Sequence, residues 1–160
     1  MKLKHTKLHW MLEVFTLIVM ISSITYLYLN WNSIPNHIPM HYNISGNIDR
    51  YGDRGEILFL PILEIGLYLL LTVVTIFPKS WNIPVQVTET IREPVYRNLK
   101  TMLILMKLEI MMVFSYLLFQ QIKADRVGVW FLPIFIVCLF GTMFYYIRKC
   151  KKLEKKERIF

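Results

Sequence analysis

The chain has 160 residues, 55% of them hydrophobic, with a mean hydropathy of +0.42. Soluble domains hold roughly 45–50% apolar residues, and one soluble core of this length cannot hide more, whereas a bilayer can. Nineteen Lys and Arg stand against eleven Asp and Glu, but they cluster at the ends of apolar runs, so the net charge of +8 reads as a topology signal and not as a nucleic-acid footprint.

Residues 10–30, 57–77, 99–119 and 127–147 form four apolar runs. Each meets the roughly 20 residues that a helix needs to cross a hydrocarbon core about 30 Å thick. None alternates as a half-buried strand does. The sequence therefore predicts an all-α integral membrane protein, one membrane domain over residues 1–160 with four transmembrane helices. The first run has a basic start, yet it is longer than a signal-peptide core and no small-residue cleavage site follows, so it reads as a retained helix. Pro61, Pro94 and Pro133 are expected near helix starts, where a missing N–H costs nothing.

Basic residues fix the expected orientation. Lys2, Lys4 and Lys7 precede the first run, and Lys79, Arg92 and Arg97 lie in the connection after the second. Arg148, Lys149, Lys151, Lys152, Lys155, Lys156 and Arg158 fill the basic tail, residues 148–160. The opposite side carries Arg50, Arg54, Lys123 and Arg126. Both termini are expected in the cytoplasm, with residues 31–56 an ordered extracytoplasmic loop. Cys138 lies in an apolar run and Cys150 in the tail, a placement that fits neither a disulfide framework nor a Cys-based zinc site. Cys150 reads as a free cytosolic thiol, with acylation the alternative.

The loop contains IPMHYNISGNIDRYGDRG, polar where its flanks are apolar. Pro35 and Pro39 bar a regular helix, so His37 and His41 are no helical metal pair. His41, Asn43, Gly46, Asp49 and Asp53 follow at short intervals, and Asn, Gly and Asp supply turns. A turn at Gly46 is expected to bring His41 onto Asp49 or Asn43. His41 then either closes the loop, or joins Asp49 and Asp53 on a divalent metal such as zinc or manganese, or serves as a base. No Ser-His-Asp order, HExxH or phosphate loop is present, and a non-enzymatic role is expected with no cofactor required.

Glu13, Glu64, Lys107 and Glu109 interrupt the apolar runs. Ionisable residues at such depth cost about 2.5–3.5 kcal/mol on insertion scales and face the bundle interior, paired. Lys107 is expected to meet Glu13 first and Glu64 second. Glu109 lies two positions on, about 200° round the helix, and should face elsewhere.

Pro39, His41, Asn43, Gly46 and Asp49, after Trp31 and Ile34-Pro35 and before Gly52, resemble the signature of domain-of-unknown-function family 1648. That domain occurs at the N-terminus of SdpI-type bacterial immunity proteins, and the resemblance runs from about Phe15 to Val74. It implies a multi-pass protein of the bacterial inner membrane with this loop outside. In SdpI-type proteins it further implies protection against a secreted peptide toxin. The reading is a membrane accessory protein that recognises a peptide or another membrane protein at its outer loop. The rivals are a small transporter or channel subunit using Glu64, Lys107 and Glu109, and a membrane metalloprotein using His41 and Asp49.

Overall fold

The computed structural model describes residues 3–159, so Lys2 of the basic start lies outside the described residues. In chain order it forms α1 (Lys7–Asn30), β1 (His37–Tyr42), β2 (Ile48–Asp53), α2 (Phe59–Ile76), α3 (Glu89–Ile122) and α4 (Phe131–Glu157). The stretches Lys7–Ser33, Arg54–Ile76, Glu89–Ile122 and Phe131–Glu157 are each long and apolar enough to cross a membrane. The protein is thus mostly helical but not all-α. The ordered loop expected at residues 31–56 holds an antiparallel β-hairpin, because Pro35 ends the helical path and alternating residues around Ile38 and Met40 fit a pleat.

Local chemistry starts α1. The Thr6 hydroxyl accepts from the His9 backbone N–H at 3.2 Å, and His9 Nδ1 accepts from the Thr6 N–H at 3.3 Å. This reciprocal cap is worth about 1 kcal/mol. It also fixes the His9 tautomer: Nδ1 is an acceptor, so Nε2 donates to Thr101 Oγ1 at 2.8 Å and ties α1 to α3.

α3 is the hub and packs against α1, α2 and α4, whereas α1 and α2 barely touch. It begins at Glu89, well before the run at Leu99. Ile91, Val95 and Leu99 recur at helical spacing, and with buried Cys150 they form a core on which Trp81, Ile83, Val85 and Leu153 pack. That core also carries α4 through residues 148–157, so the basic tail is helical as far as Glu157. Cys150 is wholly buried there, so the acylation alternative fails. Because α3 starts early, Pro94 falls inside the helix and not in its first turn. Its ring removes one intrahelical hydrogen bond.

At mid-bundle the Lys107 ammonium donates to Glu13 Oε2 at 2.6 Å and to Thr72 Oγ1 at 3.0 Å, and lies 4.7 Å from the Tyr68 ring centroid. Its side chain is fully buried and that of Glu13 is 12% exposed. Among the described residues Glu64 makes no ion pair. Its Oε1 accepts from Ser115 Oγ at 2.9 Å and its Oε2 lies 3.2 Å from Ser23 Oγ. The first-choice partner expected for Lys107 is therefore the one found, and the second is engaged elsewhere.

A buried pair broken on one side leaves a lone charge. Lys107→Met should lower stability by about 3–5 kcal/mol, and Lys107→Met with Glu13→Gln should recover most of that loss. Denaturant titration of both variants in detergent checks it; equal stabilities would show that Glu13 does not depend on Lys107.

Candidate functional site

The hairpin sits on the ends of α1, α2 and α3. Ile34, Ile38 and Ile57 are buried there with Leu27, Leu118 and Ile122, and Trp31 and Met40 pack on their edge. Ile38 is fully buried, which contributes about 1.5–3 kcal/mol. One apolar side chain of β1 thus presses the hairpin onto the bundle.

The residues singled out in the loop build this hairpin. Pro39 is buried inside it. Asn43 organises the turn: its Oδ1 accepts the N–H groups of Ser45 at 2.9 Å and Asn47 at 3.1 Å, and its carbonyl accepts from Gly46 at 2.8 Å. Gly46 has φ +77, and a Cβ there would lie 2.2 Å from the Val127 carbonyl oxygen. Only glycine fits both the left-handed turn and the approach to the α3–α4 connection. At Gly52 a Cβ would meet Glu56 Oε1 at 2.4 Å, where that carboxylate caps the next turn by accepting from the Asp53 N–H at 3.0 Å. Tyr42 adds a second tether, donating its hydroxyl to the Asp125 carbonyl at 3.1 Å. Burial, then the nearby Asp125, pushes the Tyr42 phenol pKa above its usual value, so it remains a donor.

His41 Nδ1 lies 2.6 Å from Asp49 Oδ1, both partly exposed, across a register that shifts on either side of His41. Asp53 is drawn away to His37, at 3.8 Å. The strand register pairs His37 with Asp53, so the three residues proposed for a metal do not converge. Among the described residues no three His, Cys, Asp or Glu side chains form a metal-holding group.

Between the hairpin and the bundle lies a cavity of about 250 Å³. Met40, Tyr42 and Ile44 line it from the hairpin, Leu117 and Gln121 from α3, and Phe131 from α4. Gln121 is 3% exposed, and its Oε1 is buried without a hydrogen-bond partner. An orphan acceptor of this kind costs about 1–3 kcal/mol. Beside the cavity, Ile44 at the hairpin tip is 80% exposed. Sequence reasoning missed Gln121, Tyr42 and the docking connection, because only the fold brings them to the hairpin.

The intramembrane set divides into separate sites. Glu13 joins Lys107, Glu64 joins two serines, and Glu109 turns to α4, accepting from Thr142 Oγ1 at 2.5 Å. The polar partners were readable in part: Glu64, Tyr68 and Thr72 recur at i, i+4 and i+8, one face of α2.

A family model described as a domain of unknown function (DUF1648) matches residues 18–65. The matched segment covers most of α1, the hairpin and the start of α2, and so includes every hairpin residue named in the resemblance. No curated protein and no solved structure matches the chain.

Gly46→Ala should destabilise the protein by about 1–2 kcal/mol from backbone strain alone. The Val127 contact adds to that and should undock the hairpin, detected as faster amide exchange from residues 42–47. His41→Ala removes a pair open to solvent and should cost less than about 1 kcal/mol. A larger loss for His41→Ala than for Gly46→Ala would reverse this order of importance.

Proposed function

We propose that this is a non-enzymatic membrane accessory protein of the bacterial cell membrane, with an SdpI-like immunity or sensing role. The hairpin recognises a peptide or a partner protein outside the membrane. Four helices able to cross a membrane and the family match over residues 18–65 fit the membrane accessory role. The observation that carries the recognition step is the docked hairpin over a cavity with the unpartnered Gln121 oxygen. Such a cavity, mostly apolar with Gln121 in its wall, takes an apolar side chain of a partner. A hairpin pinned at Ile38, Tyr42 and Gly46 is held ready for a ligand, which lowers the ordering cost of binding.

The orientation in this reading puts the hairpin outside and both termini in the cytoplasm, following the weight of basic residues. A membrane-impermeant thiol reagent should label Asn43→Cys on intact cells, in a background lacking Cys138 and Cys150. Lys152→Cys should react only after permeabilisation. Labelling of position 152 from outside would invert the topology.

For the function itself, a bacterial strain sensitive to a secreted SdpI-type peptide toxin should survive better when it produces this protein. Gly46→Val should remove the protection while the protein stays in the membrane fraction. Equal killing with and without the protein would eliminate immunity to that toxin. Crosslinking from Ile44 to no external peptide or protein would eliminate recognition at the hairpin.

A further inference from the structure

We propose that the cavity where the start of α1 meets α3 is a binding site for a phosphate group, carried by a lipid headgroup or free. The two buried lysines of α3 differ in what balances them. Lys107 has the Glu13 carboxylate. Lys100, 3% exposed, has no carboxylate within ion-pair distance among the described residues. Its ammonium donates to the Leu3 carbonyl at 2.9 Å and lies 3.2 Å from His5 Nδ1. Burial, then the Lys100 charge, holds the His5 imidazole below its usual pKa, so the ring is neutral and Nδ1 accepts. Both partners are therefore neutral. An ammonium has three donors, so one N–H and a full charge remain to be met.

More positive charge stands on the wall of the same cavity, which measures about 400 Å³. Lys4, His5 and Thr6 line it from the segment before α1, and Glu93, Arg97 and Lys100 line it from α3. Arg97 pairs with Glu93, and that pair cancels. Lys4 is exposed and, like Lys100, makes no ion pair among the described residues. Two uncompensated cations thus share one wall. The Arg97 guanidinium, 56% exposed, keeps further N–H groups free after its contact with Glu93. α1 begins at this cavity, and the positive end of its dipole adds to the field.

Depth selects the anion. Lys100 lies about 33 Å along α3 from Ile122 at 1.5 Å per residue, close to the roughly 30 Å of a hydrocarbon core. The cavity therefore sits at headgroup level on the face where α1 starts. Trp10 marks the same level: it is 61% exposed, its ring centroid lies 5.0 Å from that of His5, and amphipathic rings settle in this zone. Phosphate is the anion that a phospholipid presents there, and lysine and arginine together bind it. A volume of this size falls within the roughly 300–1,000 Å³ of ligand pockets.

Other occupants fit less well. A metal ion meets charge of its own sign. An acyl chain fills space but leaves Lys100 unbalanced. A single carboxylate brings one charge to two cations, and the carboxylate already in the wall, Glu93, is taken by Arg97.

Two measurements separate the sources of the phosphate. Inorganic phosphate is titrated by calorimetry into the purified full chain in phosphatidylcholine nanodiscs. Native mass spectrometry of the chain in detergent then compares retention of phosphatidic acid with that of phosphatidylcholine. Saturable binding in the first assigns free phosphate, and selective retention of phosphatidic acid in the second assigns a lipid. Either is expected to be lost in Lys100→Met. Should Lys100→Met fail to fold, Lys4→Gln with Arg97→Gln changes only exposed side chains and should weaken binding about tenfold or more. Lys151→Gln with Lys152→Gln, exposed on α4, should leave binding unchanged. No binding in either measurement, binding that survives Lys100→Met or the Lys4 and Arg97 changes, or an equal loss on changing Lys151 and Lys152 would each overturn the proposal.

Discussion

The arrangement of the helices depends on Lys107. An ammonium carried into hydrocarbon must bring its solvation with it, and here two neighbouring helices supply that shell to Lys107 of α3. α1 gives the Glu13 carboxylate, while α2 gives the Thr72 hydroxyl and the Tyr68 ring. Once these groups meet, the helices are locked in register. From Glu13 to Ser23 α1 rises about 15 Å, and from Lys107 to Ser115 α3 rises about 12 Å. α2 runs the other way, and Thr72 to Glu64 covers the same 12 Å or so. A second polar level, Ser23, Glu64 and Ser115, therefore assembles where the first dictates. Helices in lipid gain little from burying leucine against leucine, so polar contacts of this kind decide which faces meet.

That register also seats the hairpin. With the two polar levels aligned, Leu27, Ile57 and Leu118 arrive together at the helix ends and make the floor on which Ile34 and Ile38 pack. The loop residues then act as fixings. Asn43 shapes the turn, Gly46 lets it approach Val127, and His41 with Asp49 closes the strands at the solvent side. A motif expected to close the loop, with a metal or a base as the alternatives, is accounted for mainly by backbone geometry. The chemistry free to act lies beside it, in the cavity and the exposed tip.

Much of this was legible in the residues, though unevenly. Apolar length marked the four helices because a bilayer imposes its thickness directly on the chain. The Lys107–Glu13 contact followed from depth, since a charge there has few neighbours to choose from. The hairpin was not readable as such: Pro35, Pro39 and Gly46 speak for turns, while the alternation in His37–Tyr42 is short and interrupted by the proline. The extensions of α3 back to Glu89 and of α4 to Glu157 were hidden for another reason. Neither is apolar enough to look like a span, and each is amphipathic only because Ile91, Val95 and Leu99 find Cys150 and Leu153 across the interface. Long-range pairings of that kind leave no local signal. The orphan atoms of Gln121 and Glu109 are similarly invisible, since an unmet hydrogen bond exists only once the fold has placed every competitor.

The three intramembrane carboxylates separate structure from function by what they bond. Glu13 balances a full charge, so altering it should disturb the register of the whole bundle. Glu64 is met by two neutral hydroxyls from different helices, which position it without neutralising it. Glu109 faces the α4 side of the hub and holds α4 through one hydroxyl. α4 is also the helix whose apolar stretch is least enclosed by the rest of the chain. The hairpin is pinned to the helix ends by Ile38 and to the α3–α4 connection by Gly46.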